Sequence, residues 1–387
     1  MTAITNIDDL KTLYQRRVPK MFFDYCESGS YTEQTFRENS SDFAELKLRQ
    51  KVAIDLSQRS TSATMLGHDI SMPVALAPVG STGMQHADGE IKSALAARDF
   101  GVPYTLSTMS INSMEQVAEA TNAPFWFQVY TMTDDDFMRR LMDRAKAANV
   151  SALVITLDLQ MLGQRHKDIK NGLTIPLRPT LGNMLDLATK WRWALQMSRA
   201  KSRTFGNVIG HIGEVTNPSN LAALTQEKFD LSLNWDRVRE LRNMWDGPVI
   251  LKGIMDADDA RQAVNVGADG IIVSNHGGRQ LDGALSSIRA LEPVLDAVGD
   301  KTEVYLDSGV RSGQDVLKAM AMGAKGTFIG RSYIYGVGAM GQAGVTKALQ
   351  IIHKELDTSM ALCGCRGMDE VTRDILMKPA DFSTRWS

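Results

Sequence analysis

Through the middle of the chain, short and almost continuously apolar runs alternate with stretches whose apolar positions recur at helical spacing. The runs span residues 73–80, 103–108, 124–130, 152–158, 249–253, 270–275, 303–309 and 326–331. A half-exposed strand would alternate apolar and polar side chains, so these runs predict parallel strands covered on both faces. Helix-start signals fall between them. Ser113 and Gln116 form the pattern of a capping box, Thr133 precedes three aspartates, and Asp256 and Ser312 stand where caps are needed. Gly101, Gly267 and Gly323 each follow an apolar stretch, where a helix can end in a left-handed turn.

Eight strands alternating with helices predict an α/β fold, a (β/α)8 TIM barrel. A doubly wound sheet is the runner-up, and eight units of similar length favour closure. Residues 1–72 read as a mostly helical N-terminal segment, and the barrel occupies about 73–357. The fourth and fifth strands are separated by about 90 residues, far more than an ordinary crossover. Without strand periodicity of its own, that stretch reads as an insertion at about 165–245 within a single domain, 1–387.

Charge and composition narrow the partners. Lys plus Arg number 43 against 45 Asp plus Glu, and a net charge of -2 removes a global electrostatic case for nucleic acid. Three cysteines cannot build a disulfide scaffold, and Cys363-Gly-Cys365 lacks the histidine pair that would complete a metal site, so no metal is expected. No apolar run approaches the ~20 residues of a spanning helix, and the first residues, with Asp8 and Asp9, do not look like a targeting segment.

Barrel enzymes carry their chemistry at the C-terminal ends of the strands. Here polar side chains occupy nearly every such end, from Ser107 and Gln128 to Arg331. Asp307-Ser-Gly-Val-Arg-Ser-Gly313 opens a helix after the seventh strand, and Gly330-Arg331 follows the eighth. Glycine-exposed N–H groups, a helix N-terminus and arginines suit a phosphate. After the sixth strand, Ser274-Asn-His-Gly-Gly-Arg-Gln-Leu-Asp282 carries His276, a base near neutral pH, and Arg279, a clamp for a carboxylate. With Lys252 on the fifth strand, these groups suggest a phosphorylated redox cofactor and an acidic substrate. The glycine pattern of a dinucleotide fold is absent.

That loop resembles the signature of the FMN-dependent 2-hydroxy acid dehydrogenase and oxidase family. The resemblance extends, in order, through Asp24-Tyr25, Leu76–Gly80, Thr105–Ser107, Trp126–Tyr130, Thr156–Asp158, Lys252-Gly253, Asp307–Gly309 and Gly330-Arg331. Residues 71–80 and 246–249 look most like the quinone-linked, respiratory L-lactate dehydrogenases. The resemblance implies FMN as cofactor and a small L-2-hydroxy acid, L-lactate foremost, as substrate. It implies His276 as general base paired with Asp158, and Arg165, Arg279, Tyr25 and Tyr130 on the substrate. Pro78, Val79 and Gly80 would pass behind the flavin ring, with Ser107, Gln128, Thr156 and Ser274 at its polar edge and Lys252 near N1 and O2. Asp307, Gly309, Arg311, Gly330 and Arg331 would hold the ribityl chain and phosphate. A homo-oligomer, a tetramer, is implied too. The chain departs from the family around Arg165, with Gln164 and His166 beside it, and at Leu157, Leu159 and Gln160, which bears on the size of the substrate's 2-substituent. An oxygen-using 2-hydroxy acid oxidase acting on a glycolate- or mandelate-type substrate is the alternative, and an FMN-barrel isomerase a weaker one.

One stretch of the insertion points to a surface. Between Lys190 and Arg203 lie five basic residues and no acidic one, while Met184, Leu187, Ala188, Trp191 and Leu195 fall at helical spacing. A basic amphipathic helix of this kind, carrying Trp191 and Trp193, is suited to an anionic membrane surface, or else covers the barrel mouth or a subunit interface. The expectation is a cytoplasmic protein peripherally attached to the cytoplasmic face of the cell membrane, passing electrons to a quinone.

Overall fold

The computed structural model describes residues 3–172, 180–211 and 229–383. The eight predicted strands are all present: β1 (Val74–Leu76), β2 (Thr105–Ser107), β3 (Phe125–Tyr130), β4 (Val150–Thr156), β5 (Val249–Ile254), β6 (Gly270–Val273), β7 (Glu303–Leu306) and β8 (Gly326–Ile329). Each pairs in parallel with the next from β2 to β8, and β8 pairs with β1. The remaining seam closes through a Leu76–Tyr104 bridge, the Leu76 N–H donating to the Pro103 carbonyl at 2.9 Å. The sheet is a closed eight-stranded barrel.

Side-chain alternation explains what fills it. Ala75, Trp126, Ala152, Val154, Ile250, Ile272, Tyr305 and Phe328 belong to one buried apolar cluster inside the barrel. Successive side chains on a strand point to opposite faces, so residues two further on point inward again. Stepping two residues from Trp126, Val154, Ile250, Ile272 and Tyr305 gives Gln128, Thr156, Lys252, Ser274 and Asp307, all buried. An inward-facing polar layer therefore lies directly above the apolar fill. The other alternating set packs outward against the helices in the larger core.

Several local expectations are corrected. The first 72 residues are not only helical. Ala63–Met65 and His68–Ile70 form an antiparallel hairpin, and fully buried Met65 joins the barrel's inner cluster and closes its lower end. Lys47–Leu48 pairs with Leu376–Met377. Asp134 rather than Thr133 caps the Asp135–Ala147 helix, its carboxylate accepting from the Phe137 N–H at 2.8 Å; a charged acceptor suits the positive helix end. The Trp235–Asn243 helix, inside the expected insertion, buries Val238 and Leu241 as an ordinary crossover helix before β5.

The basic amphipathic helix is broken. Leu181–Thr189 and Trp191–Met197 are separate helices, and residues 199–203 are not helical. Lys190 interrupts the pattern at φ -97 and ψ 38, while its Nζ donates to the Arg16 carbonyl at 3.0 Å. Trp193 turns inward: its Nε1 donates to the Met84 carbonyl at 3.1 Å and its ring lies 5.4 Å from Phe22. Tertiary hydrogen bonds override the helical period here. Trp191, Leu185 and Leu195 stay outside, 61%, 72% and 49% exposed.

Candidate active site

Two strand ends bring a carboxylate to an imidazole. Asp158 follows β4 and His276 follows β6, and His276 Nδ1 lies 3.0 Å from Asp158 Oδ1. Between them stands Gly253 on β5, at φ 103, where the β5–β6 register slips. A Cβ there would lie 2.8 Å from Asp158 Cβ and Cγ, so glycine is what lets Asp158 approach. His276 itself sits at φ 59, its N–H donating to Ser274 Oγ at 3.1 Å. A non-glycine residue in the left-handed region is uncommon, and here the loop after β6 holds it so.

Electrostatics fix the tautomer. Burial alone would raise the Asp158 carboxyl, but His276 and Lys252 outweigh it and hold it below its ordinary range, so it is ionised. A carboxylate only accepts; Nδ1 therefore carries the hydrogen, leaving Nε2 with its lone pair. Burial, aided by Lys252 and Arg279, outweighs the pull of Asp158 and keeps the imidazole below its usual pKa. The result is a neutral histidine at neutral pH, oriented by an ionised partner.

Two guanidiniums flank this pair. Arg279 and Arg165 lie 4.9 and 5.6 Å over the Tyr25 ring. Arg279 Nη1 donates to the Tyr25 carbonyl at 2.6 Å and to Ser28 Oγ at 3.1 Å. Arg165 Nε donates to Asp168 Oδ2 at 2.7 Å. Burial and the neighbouring Arg165 charge push Arg279 below its usual value. Tyr130 packs 5.5 Å from Phe229, and burial together with Asp158 keeps its phenol protonated. Sequence reasoning missed Ser28 and Asp168. Asp168 stands at i+3 from Arg165 at the start of the His166–Lys170 helix, a spacing at which opposite charges meet, and that signal was readable.

The inward polar layer forms a cradle beside them. Ser107 Oγ donates to Gln128 Oε1 at 3.0 Å, while Gln128 Nε2 and Thr156 Oγ1 are buried with no hydrogen-bond partner among the described residues. Lys252 Nζ lies 2.8 Å from Ser274 Oγ and 3.1 Å from Asp307 Oδ2, and Ser274 Oγ donates to that same oxygen at 2.6 Å. Val79 and Gly330 face each other across the β8–β1 seam: a Cβ on Gly330 would lie 3.7 Å from Val79 Cγ2. Pro78 and Gly80 flank Val79, Gly80 against Met109.

At the β7–β8 end, Arg331 donates to the carbonyls of Cys26, Gly277 and Ser28 at 2.8, 3.0 and 2.8 Å. Burial first, then Arg311, pushes Arg331 down to about 10: two cations crowd one buried place. Arg311 points its Nη1 at the Val310 carbonyl, 3.0 Å away. Gly309, at φ 88, is needed for packing, since a Cβ would come within 1.8 Å of the Asn39 carbonyl oxygen. Partnerless buried donors and acceptors normally find partners. An amide donor, a hydroxyl and a lysine along one wall, with crowded arginines at the far end, fit a flat heteroaromatic ring carrying a phosphate arm.

A closed parallel barrel with that cradle and a histidine–aspartate pair above it defines a flavin-dependent oxidoreductase of the barrel type. The chain belongs to the FMN-dependent dehydrogenase family, whose profile matches residues 14–378. It is 43% identical to an L-lactate dehydrogenase of Caulobacter sp. (strain K31), covering 97% of this chain and 99% of that protein. An L-lactate dehydrogenase of Pseudomonas putida is also 43% identical, over 96% of this chain and 97% of its own length. Among solved structures, the monotopic membrane protein (S)-mandelate dehydrogenase superposes with a TM-score of 0.93 at 33% identity, covering 98% of this chain and 100% of that one. A mandelate oxidase superposes at 0.82 with 34% identity, over 95% and 97% of the two chains. The cofactor is FMN, and the residues present fit it.

Proposed function

We propose that this enzyme oxidises L-lactate to pyruvate. The observation that carries the reading is the oriented, neutral His276 facing two arginines. An arginine pair neutralises and fixes a substrate carboxylate. Tyr25 and Tyr130 supply phenolic hydrogens to the carboxylate and the 2-hydroxyl. His276 Nε2 takes the hydroxyl proton as C2 is oxidised, and Asp158 stabilises the imidazolium that results. When bound, FMN would supply the acceptor for the hydride equivalent, hydrogen and electron pair together, that leaves C2. Ser107, Gln128, Thr156 and Ser274 would hold the ring's polar edge. Lys252 would offset negative charge on the reduced ring, and Pro78, Val79 and Gly80 would back it. Asp307, Gly309, Arg311, Gly330 and Arg331 would hold the ribityl and phosphate groups.

Anaerobic mixing with L-lactate should bleach the flavin absorbance, whereas lactamide, which lacks the carboxylate charge, should not. Equal bleaching by both would remove the clamp. The likeness to mandelate enzymes favours a second reading, an aryl 2-hydroxy acid, and a higher kcat/KM for mandelate than for lactate would select it.

We further propose that residues 1–387 work as one domain. Copies assemble as a homo-tetramer, attach peripherally to the cytoplasmic face of the cell membrane and reduce a quinone. No helix among the described residues is long and apolar enough to cross a membrane. The exposed Leu181, Leu185, Trp191 and Leu195 support surface attachment. Sedimentation with liposomes and faster turnover with a quinone analogue than with oxygen should follow. Absence of co-sedimentation together with rapid peroxide formation would identify a free oxidase instead.

A further inference from the structure

Beside the exposed helices lies a surface pocket of about 500 Å³. Arg16, Arg17, His86, Lys190 and Arg192 line it, together with Trp191, and none of its lining residues is acidic. Two of the cations are anchored. Arg17 donates to the Ala339 carbonyl, and Lys190 donates to the Arg16 carbonyl at 3.0 Å with Asp186 3.9 Å away. The other two are not neutralised: among the described residues neither Arg16 nor Arg192 has a carboxylate partner. Arg192 instead lies 5.1 Å over the Trp191 ring. Arg16 and Arg17 also sit in the last turn of the Ile7–Arg17 helix, where cations suit the negative helix end. That accounts for neither Lys190 nor Arg192, which come from a distant part of the chain and converge on the same place.

We propose that this pocket binds the phosphodiester headgroup of an acidic glycerophospholipid. The inference rests on the membrane reading above and adds a specific lipid site to it. Arginine pairs phosphate oxygens through two parallel N–H donors. Trp191, an amphipathic ring at the pocket's rim, suits the interfacial level of a bilayer. Leu187 and Leu195, 40% and 49% exposed on the same two helices, offer an apolar path for acyl chains leaving the pocket. A free anion would use the cations and leave that path bare, so a lipid matches more of the surface than phosphate alone. His86 lines the pocket as a neutral group, since burial holds its imidazole below the usual pKa.

The test compares binding of the FMN-loaded enzyme to vesicles of phosphatidylcholine alone and to vesicles containing one third phosphatidylglycerol. A basic residue contributes roughly fivefold to binding where it touches an anionic headgroup, and its share falls off within a Debye length of that contact. The R16Q/R192Q double variant should therefore lose about 25-fold in affinity for the phosphatidylglycerol vesicles and keep the parent's affinity for neutral ones. R199Q/K201Q removes the same charge from the same segment outside the pocket and should lose much less. Native mass spectrometry of the detergent-released parent should retain one phosphatidylglycerol per chain, and the pocket variant none. Equal losses in both double variants would reduce the pocket to general surface charge and overturn the proposal while leaving membrane attachment intact. Thermal stabilisation by inorganic phosphate equal to that by short-chain phosphatidylglycerol would make it a free-anion site. A parent that binds neither vesicle would sink the membrane reading and this site with it. Lactate-driven flavin bleaching, expected unchanged in R16Q/R192Q, checks that the variant is folded.

Discussion

On the proposed function His276 is the residue on which the chemistry turns, and its environment leads to two measurable expectations. Replacement by alanine should leave FMN bound and slow lactate-driven flavin reduction by about 10²- to 10⁴-fold, the usual worth of a general base. Stopped-flow bleaching near the parent rate would remove His276 from that role. The base works only when deprotonated, and burial lowers its pKa. Activity should therefore be lost as pH falls through a value below about 6.5, the ordinary histidine pKa. Asp158 pulls that pKa up, so Asp158→Asn should move the acid limb of kcat/KM lower still while cutting kcat by about 10²-fold or more. A limb that shifts upward would contradict the pairing. Most of this was legible from residue order alone, because the loop at 274–282 combines a base, glycines and an arginine just after a strand. The carboxylate that meets Arg165 was overlooked although its i+3 spacing was readable, because the short helix that brings Asp168 round to Arg165 carries no strong helical pattern of its own.

At the scale of elements, the strands were readable because both of their faces are buried, which leaves an unbroken apolar run. The 63–70 hairpin was not: its strands are three residues each and partly exposed, so period-two alternation barely registers. The helix at 190 failed for a different reason. Spacing predicts what an isolated segment would do, and the hydrogen bonds of Lys190 and Trp193 to other parts of the chain decide otherwise. The β5 irregularity at Gly253 is an element-level device with a clear vulnerability. Gly253→Ala would be held at a positive φ, at roughly 1–3 kcal/mol, and presses on Asp158 besides. It should lower the melting temperature and weaken flavin reduction together. A variant that loses stability but reduces flavin at the parent rate would show that Asp158 does not depend on this gap.

At the scale of the whole molecule, the closed barrel carries a layer of polar groups that are only partly paired among the described residues. Gln128 Nε2 and Thr156 Oγ1 are buried without partners among the described residues, and Arg331 is crowded by Arg311. FMN that binds only the folded chain adds about 2.7 kcal/mol of stability at a hundredfold excess over Kd. Removing it should therefore lower the melting temperature by several degrees, and adding FMN back should restore it in a concentration-dependent way. A melting temperature indifferent to FMN would mean the cradle is not where the cofactor sits. The fold class was legible because eight similar units leave little alternative to closure. What filled the barrel could be inferred only once the inward faces were known.

The hairpin tip carrying Met65 seals the lower end of the barrel, and the apolar fill above it leaves no passage through the centre. Among the described residues, the barrel therefore opens only at the C-terminal ends of its strands. On the proposed function, lactate would enter and pyruvate leave on the side where the oxidant also comes, so the two half-reactions would take turns. Steady-state rates measured against lactate at several acceptor concentrations should give parallel double-reciprocal lines, with pyruvate competing against the acceptor; intersecting lines would mean that a second approach exists.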